Sequence, residues 1–388
     1  MVMVLVALGA TAACGTGPSR SSTSGAAPTP SAPLAPFQGA LAAHTLPAPV
    51  QTLRAVACAT ARRCWAVGST LASSSGPAGA ALVASTDGGG TWALQPIPPS
   101  VGYLSGIACT SARSCAAVGQ VGLNGLGPGA ILTTGNGGRT WDLQAVPTGT
   151  TDVTAVDCRV SGRCTALGVV SGQVTTLVPS TTGTWATGGR VPVPASVATA
   201  LTCTDGTHCW ATVARSVDVG HVIGVIVSTS NGGTSWSLQR VPVGTGALQD
   251  IDCTPGASSS TSAGGTGASC TAVGTTATVL GGARTGKGVV LVSADGGSTW
   301  VAAPVTPTAA DLLGVSCGAG PCVAVGTTVA SAPQAGVVVL TGAAGVSGPL
   351  WRRAVAAPVA LPLTGVACVS LSVCAAVGES VSADLAAG

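Results

Sequence analysis

Residues able to act as nucleophile, acid or base are sparse in this 388-residue chain. Its 12 acidic residues are Glu379 and eleven aspartates; it has one tyrosine, Tyr103, and three histidines, His44, His208 and His221. The histidines stand far apart, with no spacing suited to a shared metal. Glycoside hydrolysis needs two carboxyl groups flanking one bond, and the aspartates are scattered, several of them in turns. Asp157, Asp250 and Asp252 are different, because each falls on a strand. No Gly-x-Ser-x-Gly elbow sits in a strand–helix context, and no phosphate loop is present. The residue inventory implies no cofactor and no metal.

The cysteines carry more information. Fourteen of the 15 fall into sequential pairs: Cys58/Cys64, Cys109/Cys115, Cys158/Cys164, Cys203/Cys209, Cys253/Cys270, Cys317/Cys322 and Cys368/Cys374. Apolar strands flank each pair, so each pair can bridge the two arms of one hairpin. Closing so short a loop contributes roughly 2 kcal/mol by the chain-entropy account. A set of such bridges requires an oxidising compartment outside the cytoplasm. Structural zinc favours shorter Cys spacings and fewer pairs.

A turn recurs in step with these hairpins. It reads Ser85-Thr86-Asp87-Gly88-Gly89-Gly90-Thr91-Trp92, then recurs with Asn136 before Trp141, Asn231 before Trp236, and Asp295 before Trp300. Weaker copies end at Trp185 and Trp351. An Asp or Asn here can accept hydrogen bonds from nearby backbone N–H groups, and the glycines permit positive φ. The Trp is a large apolar anchor for packing between layers. The first cysteines of successive pairs are separated by 45 residues (Cys158 to Cys203) to 64 (Cys253 to Cys317), the longest spacing holding a Ser/Gly/Thr insertion near 256–268. Each unit contains four short strands and no helical periodicity, which indicates a β-propeller blade.

The turn pattern resembles the Asp-box, or BNR repeat, found in sialidases, sortilin-type receptors and photosystem II assembly and stability factors. In these families the box is a folding element, which makes Asp87, Trp92, Asn136, Trp141, Asn231, Trp236, Asp295 and Trp300 structural. The layout is similar to that of the photosystem assembly factors, with Ala-Val-Gly in the second strand; the cysteine hairpins depart from it, so a photosynthetic partner does not follow. The resulting expectation is an all-β, seven-bladed β-propeller of four-stranded antiparallel blades. Each blade has its own disulfide, and the N-terminal strand Ala40–Pro47 closes the ring on the last blade. On this reading Asp157, Asp250 and Asp252 lie on innermost strands, as solvated lining of a central channel rather than as an acid/base pair.

The resemblance also raises an enzymatic alternative, a sialidase-like exo-glycoside hydrolase. That family implies an arginine cluster, a Tyr–Glu pair and an Asp acid/base. Only Tyr103 and Glu379 can supply the pair, they sit in distant units, and the Arg-Ile-Pro signature is missing.

The start of the chain reads as an export segment. Residues 1–13 are apolar and too few to span a bilayer as a helix, and they fit the apolar region of a signal. Thr11-Ala12-Ala13-Cys14 resembles a bacterial lipoprotein box, which would make Cys14, the one unpaired cysteine, the lipidation site. Domain boundaries follow: 1–14 signal and lipobox, 15–36 a Ser/Pro/Ala-rich tether, 37–388 the propeller. The protein is expected outside the cytoplasm, held to the cell membrane by lipid alone or otherwise secreted, and monomeric.

Charge narrows the partner. Charged residues make up 7% of the chain and the net charge is +3, too little for a nucleic-acid protein. The hairpin loops nevertheless carry Arg62, Arg63, Arg113, Arg159 and Arg163, with His208 in the fourth. Equivalent loops of successive blades share one rim, so these arginines form a candidate patch for an anionic partner, a protein or a cell-envelope polymer. The competing reading is that loop tips carry charge for solubility. The functional expectation is a non-catalytic binding or assembly scaffold, with the hydrolase and a purely structural envelope protein as alternatives.

Overall fold

A computed structural model describes residues 3–8, 40–72, 78–122, 127–160, 163–180, 183–194, 196–218, 221–256, 267–276, 287–306, 309–318, 321–328, 337–342, 351–355, 362–370 and 373–378. They form sheets, antiparallel but for one short strand pair, arranged around one axis.

Five of these sheets are blades of four consecutive strands. Blade one comprises β3 (Val50–Cys58), β4 (Cys64–Thr70), β5 (Ala80–Ser85) and β6 (Ala93–Leu94). Blade two comprises β7 (Val101–Cys109), β8 (Cys115–Val121), β9 (Gly129–Thr134) and β10 (Asp142–Leu143). Blade three comprises β11 (Thr150–Val160), β12 (Arg163–Val170), β13 (Gln173–Pro179) and β14 (Trp185–Arg190). Blade four comprises β15 (Ser196–Cys203), β16 (Cys209–Asp218), β17 (His221–Thr229) and β18 (Ser237–Gln239), and blade five β19 (Thr245–Thr254), β20 (Ser269–Thr276), β21 (Gly288–Ser293) and β22 (Val301–Ala303).

The expectation of seven like blades is corrected to five. One further sheet has five strands, because β23 (Val305–Thr306) pairs in parallel with β27 (Trp351–Val355) outside β24 (Ala309–Cys317), β25 (Cys322–Thr328) and β26 (Val337–Gly342). The other is composite, in the order β2 (Ala40–Thr45), β1 (Met3–Leu8), β29 (Val373–Gly378), β28 (Leu363–Ser370). The closing strand β2 therefore joins this sheet only through β1, the segment read above as the apolar part of an export signal. A short continuous apolar run suits a strand as well as an export segment, which is why composition did not separate the two roles.

The inner strands β3, β7, β11, β15, β19, β24 and β28 are neighbours in that order, and β28 returns to β3. The core lies between sheets rather than within one layer. Each turn Trp packs against the sheet before its own: Trp92 with Ala375 and Val377, Trp141 with Trp65, Trp185 with Val118, Trp236 with Leu167, Trp300 with Trp210, and Trp351 with Val273. Burial of such indoles dominates core energetics. The glycine closing each Ala-Val-Gly strand has a local cause. β3 bulges between Val50 and Thr52 and again between Leu53 and Ala55, which presses the Thr52 carbonyl onto Gly68, and a Cβ there would collide with it. Gly119 against Tyr103 and Gly326 against Asp311 repeat the contact.

Seven disulfides join the residues paired in the sequence, each within a single sheet: Cys58–Cys64, Cys109–Cys115, Cys158–Cys164, Cys203–Cys209, Cys253–Cys270, Cys317–Cys322 and Cys368–Cys374. All seven bridge the two arms of an antiparallel hairpin, with local differences around three of them. The pairing of Asp157 with Thr165 sets Cys158 opposite Cys164, 4.0 Å apart at Cα, and the strand bulges beyond that pair, before Val160 meets Arg163. Cys270 lies 17 residues after Cys253, so its bridge closes a wider loop and constrains the unfolded chain more than the short ones do. Cys374 belongs to the composite sheet, not to a like blade, and is buried with Val323 and Val325 of the sheet before it. This covalent pattern belongs to an oxidising environment. Among the described residues no helix is long and apolar enough to cross a membrane.

Candidate functional sites: the channel and the hairpin rim

The seven inner strands enclose a channel cavity of about 440 Å³. Asp157, Asp250 and Asp252 all line it, as their strand positions implied. None is placed as an acid opposite a base. Asp157 Oδ1 accepts the Cys158 N–H at 2.7 Å, and its Oδ2 accepts the Cys203 N–H of blade four at 2.6 Å. Asp252 Oδ2 accepts the Cys317 N–H at 2.7 Å, and Asp250 accepts from Ile251 and Val315, both at 2.8 Å.

These bonds belong to a repeated latch. The residue just before the first cysteine of a hairpin accepts the backbone N–H of the next sheet's first cysteine. Asp157, Thr202, Asp252 and Ser316 do this in succession, toward Cys203, Cys253, Cys317 and Cys368. Where that position is Ala, in Ala57, Ala108 and Ala367, a side chain three residues earlier makes the link. Ser105 donates to the Val153 carbonyl at 3.2 Å, and Thr364 to the Leu53 carbonyl at 2.7 Å. Between blades one and two, Arg54 lies over the Tyr103 ring at 5.1 Å from its centroid, a cation–π contact.

That contact settles the place of Tyr103. Burial pushes its phenol up, with Arg54 opposing and Asp152 adding to the rise. A phenol so shifted is a poor nucleophile, and it is engaged as a ring. Its expected partner Glu379 lies outside the described residues. Asp152, which acts electrostatically on Tyr103, is a titratable group the sequence did not single out. Burial raises its pKa to about 6, against a bond from the Val153 N–H, and its Oδ1 is buried with no hydrogen-bond partner.

On the other face, the tips of the cysteine hairpins meet the Asp and Asn turns. The N–H of Gly88 donates to the Arg62 carbonyl at 2.9 Å, that of Gly137 to Arg113 at 2.8 Å, and that of Gly232 to Thr207 at 2.9 Å. The turns themselves are closed as their residues predict. Asp87 Oδ1 accepts from the Ser85 hydroxyl and the Thr91 N–H, and Oδ2 accepts from the Thr91 hydroxyl. Bonds from the Thr91 hydroxyl and N–H lower the Asp87 pKa to about 2. Asn136 and Asn231 accept the N–H of Thr140 and Ser235 in the same way. Asp295 repeats the Asp87 pattern with Thr299.

One expected arginine, Arg63, reaches the turn of the next blade with its side chain, and Arg113 meets that turn through its backbone. Gly137 has φ of 79°, in the left-handed region open to glycine. A Cβ added there would lie 3.0 Å from Arg63 Nη1 of blade one and 4.0 Å from Arg113 Cα. Arg62, Arg113 and Arg163 are exposed on their hairpins. Arg159 lies in β11, with its side chain outside what the structure describes, as are Cys14 and the tether. Arg139, exposed two residues after Gly137, joins this basic surface and was missed, because its position inside the turn pattern read only as folding chemistry. Farther round the rim, Asp205 organises the blade-four hairpin. Burial raises its pKa, but bonds from the Thr207 hydroxyl, the His208 and Thr207 N–H groups and the His208 ring outweigh this and hold it low. Among the described residues no group of three or more His, Cys, Asp or Glu could hold a metal ion.

No family model matches the chain, and no curated protein sequence matches it. Solved structures do. A structure titled "YCF48 bound to D1 peptide" aligns with TM-score 0.55 and 14% identity, over 86% of this chain and 92% of that one. The GH74 xyloglucanase from Xanthomonas campestris aligns with TM-score 0.50 and 12% identity, over 81% of this chain and 51% of that one. Virginiamycin B lyase from Staphylococcus aureus aligns with TM-score 0.51 and 10% identity, over 85% of this chain and 96% of that one. At these identities the likeness shows the fold, a β-propeller, which binding proteins and enzymes alike employ.

Proposed function

We propose that this chain is an extracytoplasmic β-propeller that acts as a non-catalytic binding or assembly scaffold. Its partner is a protein or an anionic polymer of the cell envelope. The observation that carries the reading is the Arg63 guanidinium at Gly137 of the next blade, whose N–H donates to the Arg113 carbonyl, with Arg62, Arg113 and Arg139 exposed on the same hairpins and turn. Clustered cations on rigid loops attract anionic surfaces and speed encounter. The titled peptide complex of one structural neighbour supports a protein partner. The channel aspartates support a non-catalytic role, since Asp157, Asp250 and Asp252 each accept backbone N–H groups that hold the ring together.

We place the anchor at Cys14, which would hold the propeller at the outer surface of the membrane through the 15–36 tether. Processing before Cys14 would take β1 out of the composite sheet, so the intact mass of the purified chain distinguishes the processed from the unprocessed form. The function is tested by crosslinking in intact envelopes. A defined co-purifying partner, lost when Arg63 and Arg113 are reversed in charge, is the expected result. Turnover of fluorogenic glycosides would replace this reading with the hydrolase.

A further inference from the structure

A second concavity, of about 190 Å³, opens between blades four and five beside the blade-five turn. His208, Asp295, Ser228, Ser230, Ser235 and Ser237 line it, with Trp210 beneath. No Lys or Arg does. Neither the arginine surface nor the channel includes it.

The hydrogen-bond pattern assigns each group a role. Asp205 Oδ2 lies 2.8 Å from His208 Nδ1, while Asp205 Oδ1 takes the N–H groups of Thr207 and His208, both at 2.7 Å. The carboxylate can only accept, so Nδ1 carries a proton, and in the neutral ring Nε2 is an acceptor with no partner among the described residues. Ser228 Oγ accepts from Gln239 at 2.6 Å and Ser235 Oγ from Asn231 at 2.8 Å, so each keeps its hydroxyl hydrogen to give. Ser230 and Ser237 make no side-chain bond to the described residues and can give and accept. The Asp295 carboxylate receives the Ser293 hydroxyl, the Thr299 N–H and the Thr299 hydroxyl, and retains a lone pair. The Trp210 N–H donates to the Gly296 carbonyl at 2.9 Å.

This lining selects by elimination. An anion meets Asp295 and no cationic side chain. An apolar ligand would strand the serine hydroxyls, which costs more than it gains. A stacking ligand finds no platform, since Trp210 is 2% exposed. What fits is a small neutral molecule whose neighbouring hydroxyls both donate and accept. We infer that the Asp205-oriented His208 and the serines facing it form a binding site for a neutral pyranose ring. It lies on the same rim as the basic surface but is independent of it.

The test is an NMR titration of the full chain with methyl α-D-glucopyranoside, methyl α-D-mannopyranoside and N-acetylglucosamine, following the His208 ring and the Trp210 indole N–H. At least one probe should give a saturable shift at both reporters. Ser237→Trp, which fills the concavity from an exposed strand position, should weaken that probe by about tenfold or more. His208→Phe, which removes the Nε2 acceptor together with the Nδ1–H bond to Asp205, should do the same at the Trp210 indole and serves if the tryptophan variant fails to fold. The inference is overturned if no probe saturates, if the shifts persist in the folded variants, or if sodium sulfate reproduces them. None of these results bears on the arginine surface, whose charge reversal leaves this site intact.

Discussion

The Thr364 hydroxyl donates to the Leu53 carbonyl at 2.7 Å, joining residues 311 positions apart. The same hydroxyl lies 3.2 Å from the Val377 carbonyl of its own sheet. Here the composite sheet meets blade one, so this side chain pins the closure. Thr364→Val keeps the shape and removes the donor. The expected loss is about 1–2 kcal/mol in denaturant unfolding, with Thr364→Ser near wild type. An unchanged valine variant would show that closure rests on apolar packing alone.

Asp157 offers a sharper case. It is 7% exposed and accepts two backbone N–H groups from two different blades. Asp157→Ala strands both donors and is expected to cost roughly 3 kcal/mol. Hydrogen exchange should show lost protection at Cys203, while the Cys317 amide, held by Asp252, stays protected.

Asp152 sets a pH dependence. Its folded pKa of about 6 lies above the ordinary 3.8, so the folded state holds a proton that the unfolded state has lost. Stability therefore falls as pH rises from about 4 to about 6 and levels off above. Asp152→Asn should raise the melting temperature at pH 7.5 and leave it little changed at pH 4. Allowing for solvent screening, the gain is on the order of 1 kcal/mol. Asp87 works in the opposite sense. Its pKa of about 2 lies below the ordinary value, so its contribution is full above pH 4 and fades as the pH falls through about 2.

The strands, the disulfides and the turn bonds were legible because each rests on local chemistry. Alternation, a short Cys spacing and an Asp four residues before a Thr act within one hairpin. The latch was also written in the sequence, since Asp157, Thr202, Asp252 and Ser316 occupy one repeat position, but only the ring shows that they reach the next sheet. The bulge beside Cys164 left no mark, because its spacing from Cys158 equals that of the regular hairpins. The composite sheet was less legible, because Met3–Leu8 suits an export segment and a strand equally. The short parallel strand Val305–Thr306 carries no signal of its own, and the Arg54–Tyr103 contact depends on two blades meeting. Arg139 was hidden inside a turn whose other residues serve the fold.

The central claim is that the basic rim carries the binding function, and salt-dependent retention on isolated cell envelopes tests it most directly. The wild-type chain should be retained at low salt and released as ionic strength rises. The Arg62→Glu, Arg63→Glu, Arg113→Glu variant, compared with the otherwise wild-type chain in a shared Cys14→Ser background, should be retained far less at every salt concentration. Equal, salt-insensitive retention of the two chains would contradict the account.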